Sequence, residues 1–177
     1  MNSSRLAASF FSRDVLIVAP ELVGKILVRS FENGSVERFV ITEVEAYRGE
    51  EDLACHASKG RTARTEVMYH RGGLVYVYLI YGMYWMLNFV TGEPNNPQAI
   101  LIRGIAGYSG PGRLTKRLSV GKDFYGEDLI ISSRMWVEEN NEEYNIMTGS
   151  RIGIDYAGNE WVSKPWRYYI NDKIKIK

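Results

Sequence analysis

The sequence predicts one mixed α/β (α+β) domain over residues 1–177, dominated by antiparallel strand pairs, with a protruding β-hairpin and short helices. Three observations predict it. Leu74–Ile80 and Tyr84–Val90 are rich in β-branched and aromatic residues and flank a break at Tyr81-Gly82-Met83, the pattern of a β-hairpin. Asn33-Gly34 between apolar runs marks a second, two-residue hairpin, because both residues tolerate positive φ. The helical signals are short, and neither a repeat nor a linker divides a chain long enough to bury one sizeable core.

The elements follow in order. Pro20 is placed to open a helical turn, since its missing N–H falls among the donors that a helix start leaves free. Leu22, Val23, Ile26 and Leu27 repeat at helical spacing, so a short amphipathic helix passes into a strand near Leu27–Phe31. Val36–Ala46 is apolar on both faces and is expected to lie centrally; at its end, Glu45 and Tyr47 sit two apart and point to the same side. Between Arg48 and Gly73 periodicity disappears, and irregular connections of that length are usually functional. In the hairpin, the period of two groups Leu74, Tyr76, Tyr78 and Ile80 on one face and Val75, Val77 and Leu79 on the other; Tyr84, Met86, Asn88 and Val90 share a face of the return strand. Tyr81 is left at the tip. Ala99–Ile102 reads as a short buried strand ending at Arg103, and Ser109-Gly110-Pro111-Gly112 as a turn opening a basic helix from Arg113 to Leu118, a natural phosphate contact. Glu138–Glu143 reads as a solvated acidic loop, and Arg151–Ile154 and Trp166–Ile170 as short strands.

Composition excludes several classes. Hydrophobic residues at 45% and charged residues at 24% are ordinary for a folded chain, so disorder is not expected. No apolar run approaches the roughly eighteen residues of a membrane span. Met1-Asn2-Ser3-Ser4-Arg5 is followed by an interrupted apolar patch without a cleavage signature, so no secretory leader is expected. The single cysteine, Cys55, excludes an intrachain disulfide, and Cys55 beside His56 lacks the second cluster that zinc would need. The net charge of +1 hides an asymmetry. Nine basic residues against two acids between Leu53 and Lys122 give that window +7 and leave −6 on the remainder. Such a one-sided field suits a polyanion; a surface whose signs balance on folding is the alternative.

For chemistry, Glu45 at a strand end, beside Tyr47 and ahead of a long irregular segment, is a candidate general base; taken alone, such a residue is more often a surface carboxylate on an edge strand. His56 and Arg103 are the directional polar groups available near it, while Tyr47, Tyr78 and Tyr81 offer flat faces; each singly also fits a structural role. No serine, cysteine or lysine is flanked as an activated nucleophile, and no glycine fingerprint indicates a nucleotide cofactor. Water is the nucleophile this leaves.

Together, Glu43-Val44-Glu45-Ala46-Tyr47, His56-Ala57, Gly60-Arg61-Thr62-Ala63-Arg64-Thr65 and Tyr76-Val77-Tyr78-Leu79-Ile80-Tyr81-Gly82-Met83-Tyr84 resemble the alkyladenine (3-methyladenine) DNA glycosylase family. Asn88, Leu101-Ile102-Arg103, Gly110-Pro111-Gly112-Arg113-Leu114, Arg151-Ile152-Gly153-Ile154 and Lys164-Pro165-Trp166-Arg167-Tyr168 extend the resemblance to nearly the whole chain. The resemblance implies a single domain around a curved, mainly antiparallel sheet and an enzyme that uses neither metal nor cofactor. It implies monofunctional hydrolysis of alkylated or deaminated purines (3-methyladenine, 7-methylguanine, hypoxanthine, ethenoadenine) from double-stranded DNA. By resemblance, Glu45 matches the base that activates water and Arg103 the arginine that helps hold water and carboxylate. Tyr47, His56 and Tyr78 match the walls around the extruded base, Tyr81 the intercalating residue, and Asn88 the group opposing the 2-amino group of guanine. Arg61, Arg64, Arg113, Lys116 and Arg117 are the expected contacts to duplex phosphates. The chain lacks the long N-terminal extension of some members, so no added region tuning duplex binding is expected. The expected setting is a monomer without membrane association, cytoplasmic and nucleoid-associated in a bacterium or archaeon, nuclear otherwise. A non-catalytic nucleic-acid-binding module and a nucleoside N-ribosyl hydrolase are the rival readings; the first leaves Glu45 unexplained, the second Tyr81 and the +7 window.

Overall fold

Runs of alternating apolar and aromatic residues pair into one antiparallel, open sheet, carried with a few short helices in a single α+β domain. The computed structural model describes residues 4–171; the part of the leader reading that rests on residues 1–3 lies outside them. The chain forms α1 (Ala8–Phe11), α2 (Val15–Leu22), β1 (Ile26–Ser30), β2 (Val36–Arg48), β3 (Val75–Ile80), β4 (Tyr84–Thr91), β5 (Gln98–Ile105), β6 (Tyr108–Ser109), α3 (Pro111–Arg117), β7 (Met135–Glu138), β8 (Ile146–Gly149), α4 (Asn159–Val162) and β9 (Arg167–Ile170). The sheet runs β3-β4-β5-β2-β1-β7, with β6 beside β5, β9 beside the second half of β2, and β8 on β9. Every ladder is antiparallel.

Both sequence-predicted hairpins form. Between β1 and β2, Gly34 N–H donates to Phe31 O (2.9 Å) and only Gly34 takes a left-handed φ, of 83°. Asn33 instead accepts the Ser35 N–H on Oδ1 at 3.0 Å, so the connection is a three-residue loop rather than the expected two-residue turn. At the β3–β4 tip both Tyr81 (φ 51°) and Gly82 (φ 68°) are left-handed, which turns the Tyr81 side chain outward.

β2 is central, as expected, but for a different reason. Ile41 pairs with Ile105, Glu43 with Gly104 and Val44 with Ile102, so Thr42 and Arg103 occupy compensating irregularities on adjacent strands. An extra residue reverses which parity faces the core. Phe39 and Ile41 before the bulge, and Val44 and Ala46 after it, are therefore all in one core. Gly104 is required at that point: a Cβ would lie 2.7 Å from Thr42 Oγ1. That core, with Val75, Val77, Leu87, Phe89, Ile100 and Ile102, lies on the face covered by α2 and α3.

Four expectations are corrected. Pro20 does not open a helix but sits inside α2, which starts five residues earlier where Asp14 Oδ1 accepts the Leu16 N–H at 2.9 Å. Its buried stripe is Val15, Val18, Ala19 and Leu22, spacing that outweighs the one hydrogen bond Pro20 cannot make. Ile26, counted in the helical spacing, is already a strand residue of β1, so the strand expected near Leu27–Phe31 starts one residue earlier. Arg151–Ile154 is irregular rather than a strand; the partner of β9 is Ile146–Gly149. The acidic stretch is not wholly solvated either: Glu138 ends β7 at 5% exposure and accepts from Arg38 and Trp136, while Glu139 pairs with Lys25.

Candidate active site

One row of residues crosses the face that the helices leave open. Tyr76 pairs with Asn88, Asn88 with Leu101, Leu101 with Glu45, and Glu45 with Arg167, each on the next strand. Asn88 lies on the floor of a cleft of about 770 Å³, and Glu45, two inter-strand steps or about 10 Å away, is buried beneath it, bonded to the lining residues Tyr47 and Ile152. Its walls come from the irregular connection after β2, from β3 and β4, and from the segment around Ile152.

Glu45 is completely buried. Burial raises its pKa from the ordinary glutamate value; Arg103, the Ile152 N–H and the Tyr47 hydroxyl oppose that shift. Ile152 N donates to Oε1 at 2.7 Å, Tyr47 Oη donates to Oε2 at 2.8 Å, and Arg103 Nε lies 3.5 Å from Oε1. The same Arg103 Nε donates to Glu43 Oε1 at 3.2 Å, and Arg167 Nη1 reaches that oxygen at 3.1 Å. The bulge is what brings Arg103 to this cluster, since it shifts the arginine out of regular register.

The aromatic walls are rigidly tied. His56 Nδ1 bonds the Tyr76 hydroxyl at 2.8 Å, and its ring meets the edge of Tyr78 with centroids 4.5 Å apart. Burial, then the nearby Arg64 and Lys59, push the His56 pKa down to about 4, so the imidazole is neutral at pH 7. Asn88 Nδ2 donates to the carbonyls of Tyr76 (3.1 Å) and Met86 (3.3 Å), which holds its side chain against the sheet. At the mouth Tyr81 is 86% exposed, with Ile152 and Tyr156 on the opposite rim.

The basic residues divide. Arg64 lines the cleft with its guanidinium 5.1 Å from the Tyr78 ring. Arg113 and Lys116 are exposed on α3, close to the hairpin: a Cβ on Gly112 would lie 2.8 Å from the Tyr84 ring. Arg61 is held by Glu66 at 2.6 Å, and Arg117 turns away from the cleft to Glu37, the Tyr108 hydroxyl and the Phe39 ring.

The family model for methylpurine-DNA glycosylase matches residues 9–108 and 107–174. The chain belongs to the methylpurine-DNA glycosylase family. It is a DNA glycosylase, a hydrolase of DNA repair. Three relatives provisionally named 3-methyladenine DNA glycosylase are each 42% identical. They come from Desulfitobacterium hafniense strain Y51 (95% of this chain, 96% of the relative), Borrelia garinii subsp. bavariensis (92% and 94%) and Methanocella arvoryzae (93% and 91%).

Within this glycosylase, Tyr47, His56, Tyr78, Tyr81, Asn88, Arg64 and Arg103 line this cleft and Glu45 is buried beneath it, bonded to Tyr47, whereas Arg61, Arg113, Lys116 and Arg117 do not line it. Sequence reasoning missed the residues that support them. Tyr76 anchors His56, and Asp52 and Arg151 form a fully buried ion pair below Tyr47. The period of two put Tyr76 on the face of Tyr78 and so carried a signal; nothing local connects Asp52 to a residue 99 positions away. Among the described residues no group of histidine, cysteine and carboxylate side chains is arranged to hold a metal ion.

Proposed function

We propose that this glycosylase excises alkylated or deaminated purines (3-methyladenine, 7-methylguanine, hypoxanthine and ethenoadenine) from duplex DNA after turning the nucleotide out of the helix. The observation that carries the reading is a fully buried, hydrogen-bonded carboxylate beneath an aromatic-walled cleft whose rim bears an almost wholly exposed tyrosine.

Extrusion costs a few kcal/mol of stacking and pairing. Tyr81, outward at the hairpin tip, offsets part of it by filling the vacated stack. The base enters between Tyr47, His56 and Tyr78. Because His56 is neutral, it does not repel the positive charge of an N-alkylpurine, and the tyrosine faces attract that charge. Glu45 takes a proton from water; the water oxygen bonds the sugar C1′, the C1′–N bond breaks, and the base leaves with its electron pair. Arg103 keeps the carboxylate ionised and oriented against its burial. The steps are hydrolytic and leave an abasic site.

Guanine is excluded by contact. Both Nδ2 bonds of Asn88 go to sheet carbonyls, so the side chain cannot swing aside for a 2-amino group. Arg64, Arg113 and Lys116 are the proposed phosphate contacts around the mouth, binding a single copy of the chain to DNA. The test is base release from defined duplexes containing each damaged purine, with free nucleosides as the comparison. Release from duplexes and not from nucleosides supports the reading; hydrolysis of nucleosides alone, or binding without release, contradicts it.

A further inference from the structure

We infer that the buried Asp52–Arg151 pair is a positioning device for Glu45: it fixes the irregular segment whose Ile152 N–H holds the carboxylate, and at the same time fixes the strand that carries it. The inference rests on the general-base reading of Glu45.

The connections are direct. Arg151 Nη1 donates to Asp52 Oδ2 at 2.6 Å and Nη2 to Asp52 Oδ1 at 2.9 Å, with both side chains fully buried. Nη1 also donates to the carbonyl of Ala46 (3.0 Å), the residue between Glu45 and Tyr47. The guanidinium lies 4.8 Å from the Tyr47 ring and 5.0 Å from that of Trp166. Asp52 accepts from the backbone N–H groups of Arg48 (3.1 Å) and Ala54 (3.0 Å), so the pair joins the end of β2, the connection after it and the 150–154 segment.

Few other contacts hold that segment: Ile154 packs with Ala54 and Ala157, and Ser150 O accepts from Arg167 Nε at 2.9 Å. Residues 150–154 belong to no ladder, Gly153 is left-handed at φ 76°, and the Ile152 side chain is half exposed. Arg151 is its buried polar anchor, and the next N–H is the one that reaches Glu45 Oε1. A buried ion pair is weak as a source of net stability, since desolvation consumes most of the attraction. Holding a backbone donor against a catalytic carboxylate is a use that weakness does not diminish.

Losing the donor has a predicted sign. An N–H bonded to the ionised carboxylate lowers its pKa, so releasing it raises the pKa and moves the acid limb of the rate profile to higher pH. The other groups facing Glu45 are Arg103 from β5, Tyr47 and Glu43 from β2, Tyr78 from β3, Tyr156 on the rim, and Arg167 from β9 through Glu43. All of them remain in the variants tested.

The experiment is single-turnover base release from a hypoxanthine duplex as a function of pH, for the natural chain, Arg151→Met, Arg151→Lys and Val137→Ala. Val137 is buried on β7, at the far end of the sheet, and controls for general destabilisation. Arg151→Met should raise the midpoint of the acid limb by about one pH unit with duplex affinity unchanged. Arg151→Lys, which keeps a cation for Asp52 but loses the planar guanidinium that bonds both Asp52 oxygens and Ala46 at once, should move it less in the same direction. Val137→Ala should lower the Tm and leave the midpoint in place. Folded Arg151 variants with the natural midpoint overturn the inference; if Arg151→Met does not fold, Arg151→Lys decides. A natural chain without an acid limb overturns the general-base reading itself.

Discussion

The two faces of the sheet are made by the same strands and do opposite work. On β4, Leu87 and Phe89 enter the helix-covered core while Asn88 between them lines the cleft; on β2, Val44 and Ala46 enter the core while Glu45 between them carries the carboxylate. On the covered face burial alone is sufficient, because apolar side chains need no partners. On the cleft face every buried polar side chain that matters is bonded: Asn88 to two carbonyls, Glu45 to an N–H and a hydroxyl, His56 to Tyr76. The difference teaches that, one residue apart, substitutions should separate stability from chemistry.

Leu87→Ala is the strongest challenge to that separation. Leu87 is fully buried, so its truncation should cost about 2–5 kcal/mol in urea unfolding, with base release per folded molecule unchanged. A large loss of rate in the folded variant would show that the covered face also sets the site.

Tyr81→Ala should do the reverse. Stability should stay within about 0.5 kcal/mol, since the side chain is exposed. Release from duplex DNA should fall about 5- to 150-fold, the equivalent of about 1–3 kcal/mol of lost stacking, and release from single strands should fall less.

Asn88→Ser falls between the two. It removes two hydrogen bonds to sheet carbonyls, about 0.5–1.5 kcal/mol each, and should also raise the rate on guanine relative to hypoxanthine. An unchanged ratio of the two single-turnover rates, with a lower Tm, would move Asn88 to the scaffold.

The most gradual effect expected is a pH slope. The unfolded chain binds a proton at His56 near pH 6.5, whereas the folded chain does so only near about 4. Between those values the unfolded state holds more protons, so stability should decline as pH falls through that window. Tm measured against pH should show the decline, and His56→Gln should flatten it.

Much of this was legible because period-two alternation is local. Tyr76 with Tyr78 on one strand, Met86 with Asn88 on the next, and Glu45 with Tyr47 could each be assigned to one face of their own strand from spacing. The start of α2 was also written in the sequence, as Asp14 ahead of an apolar run; Pro20 is a strong local mark, and it drew the helix five residues too late. Other features depend on distant residues. The bulge at Thr42 and Arg103 exists only as a relation between two strands, and with it the parity switch that made β2 look apolar on both faces. The Asp52–Arg151 pair joins two irregular segments that carry no period at all. Family resemblance, rather than spacing, brought Asn88 into the candidate site and gave Arg103 its role there.

The measurement closest to the central claim compares Glu45→Gln with the natural chain in single-turnover release of hypoxanthine from a duplex, with duplex affinity measured alongside. Glutamine keeps the shape of the side chain but cannot take a proton from water. Base release should fall by about 10²–10⁴-fold while affinity stays within a few-fold. A variant that binds the duplex and releases the base at the natural rate would contradict the assignment of Glu45 as the group that activates water.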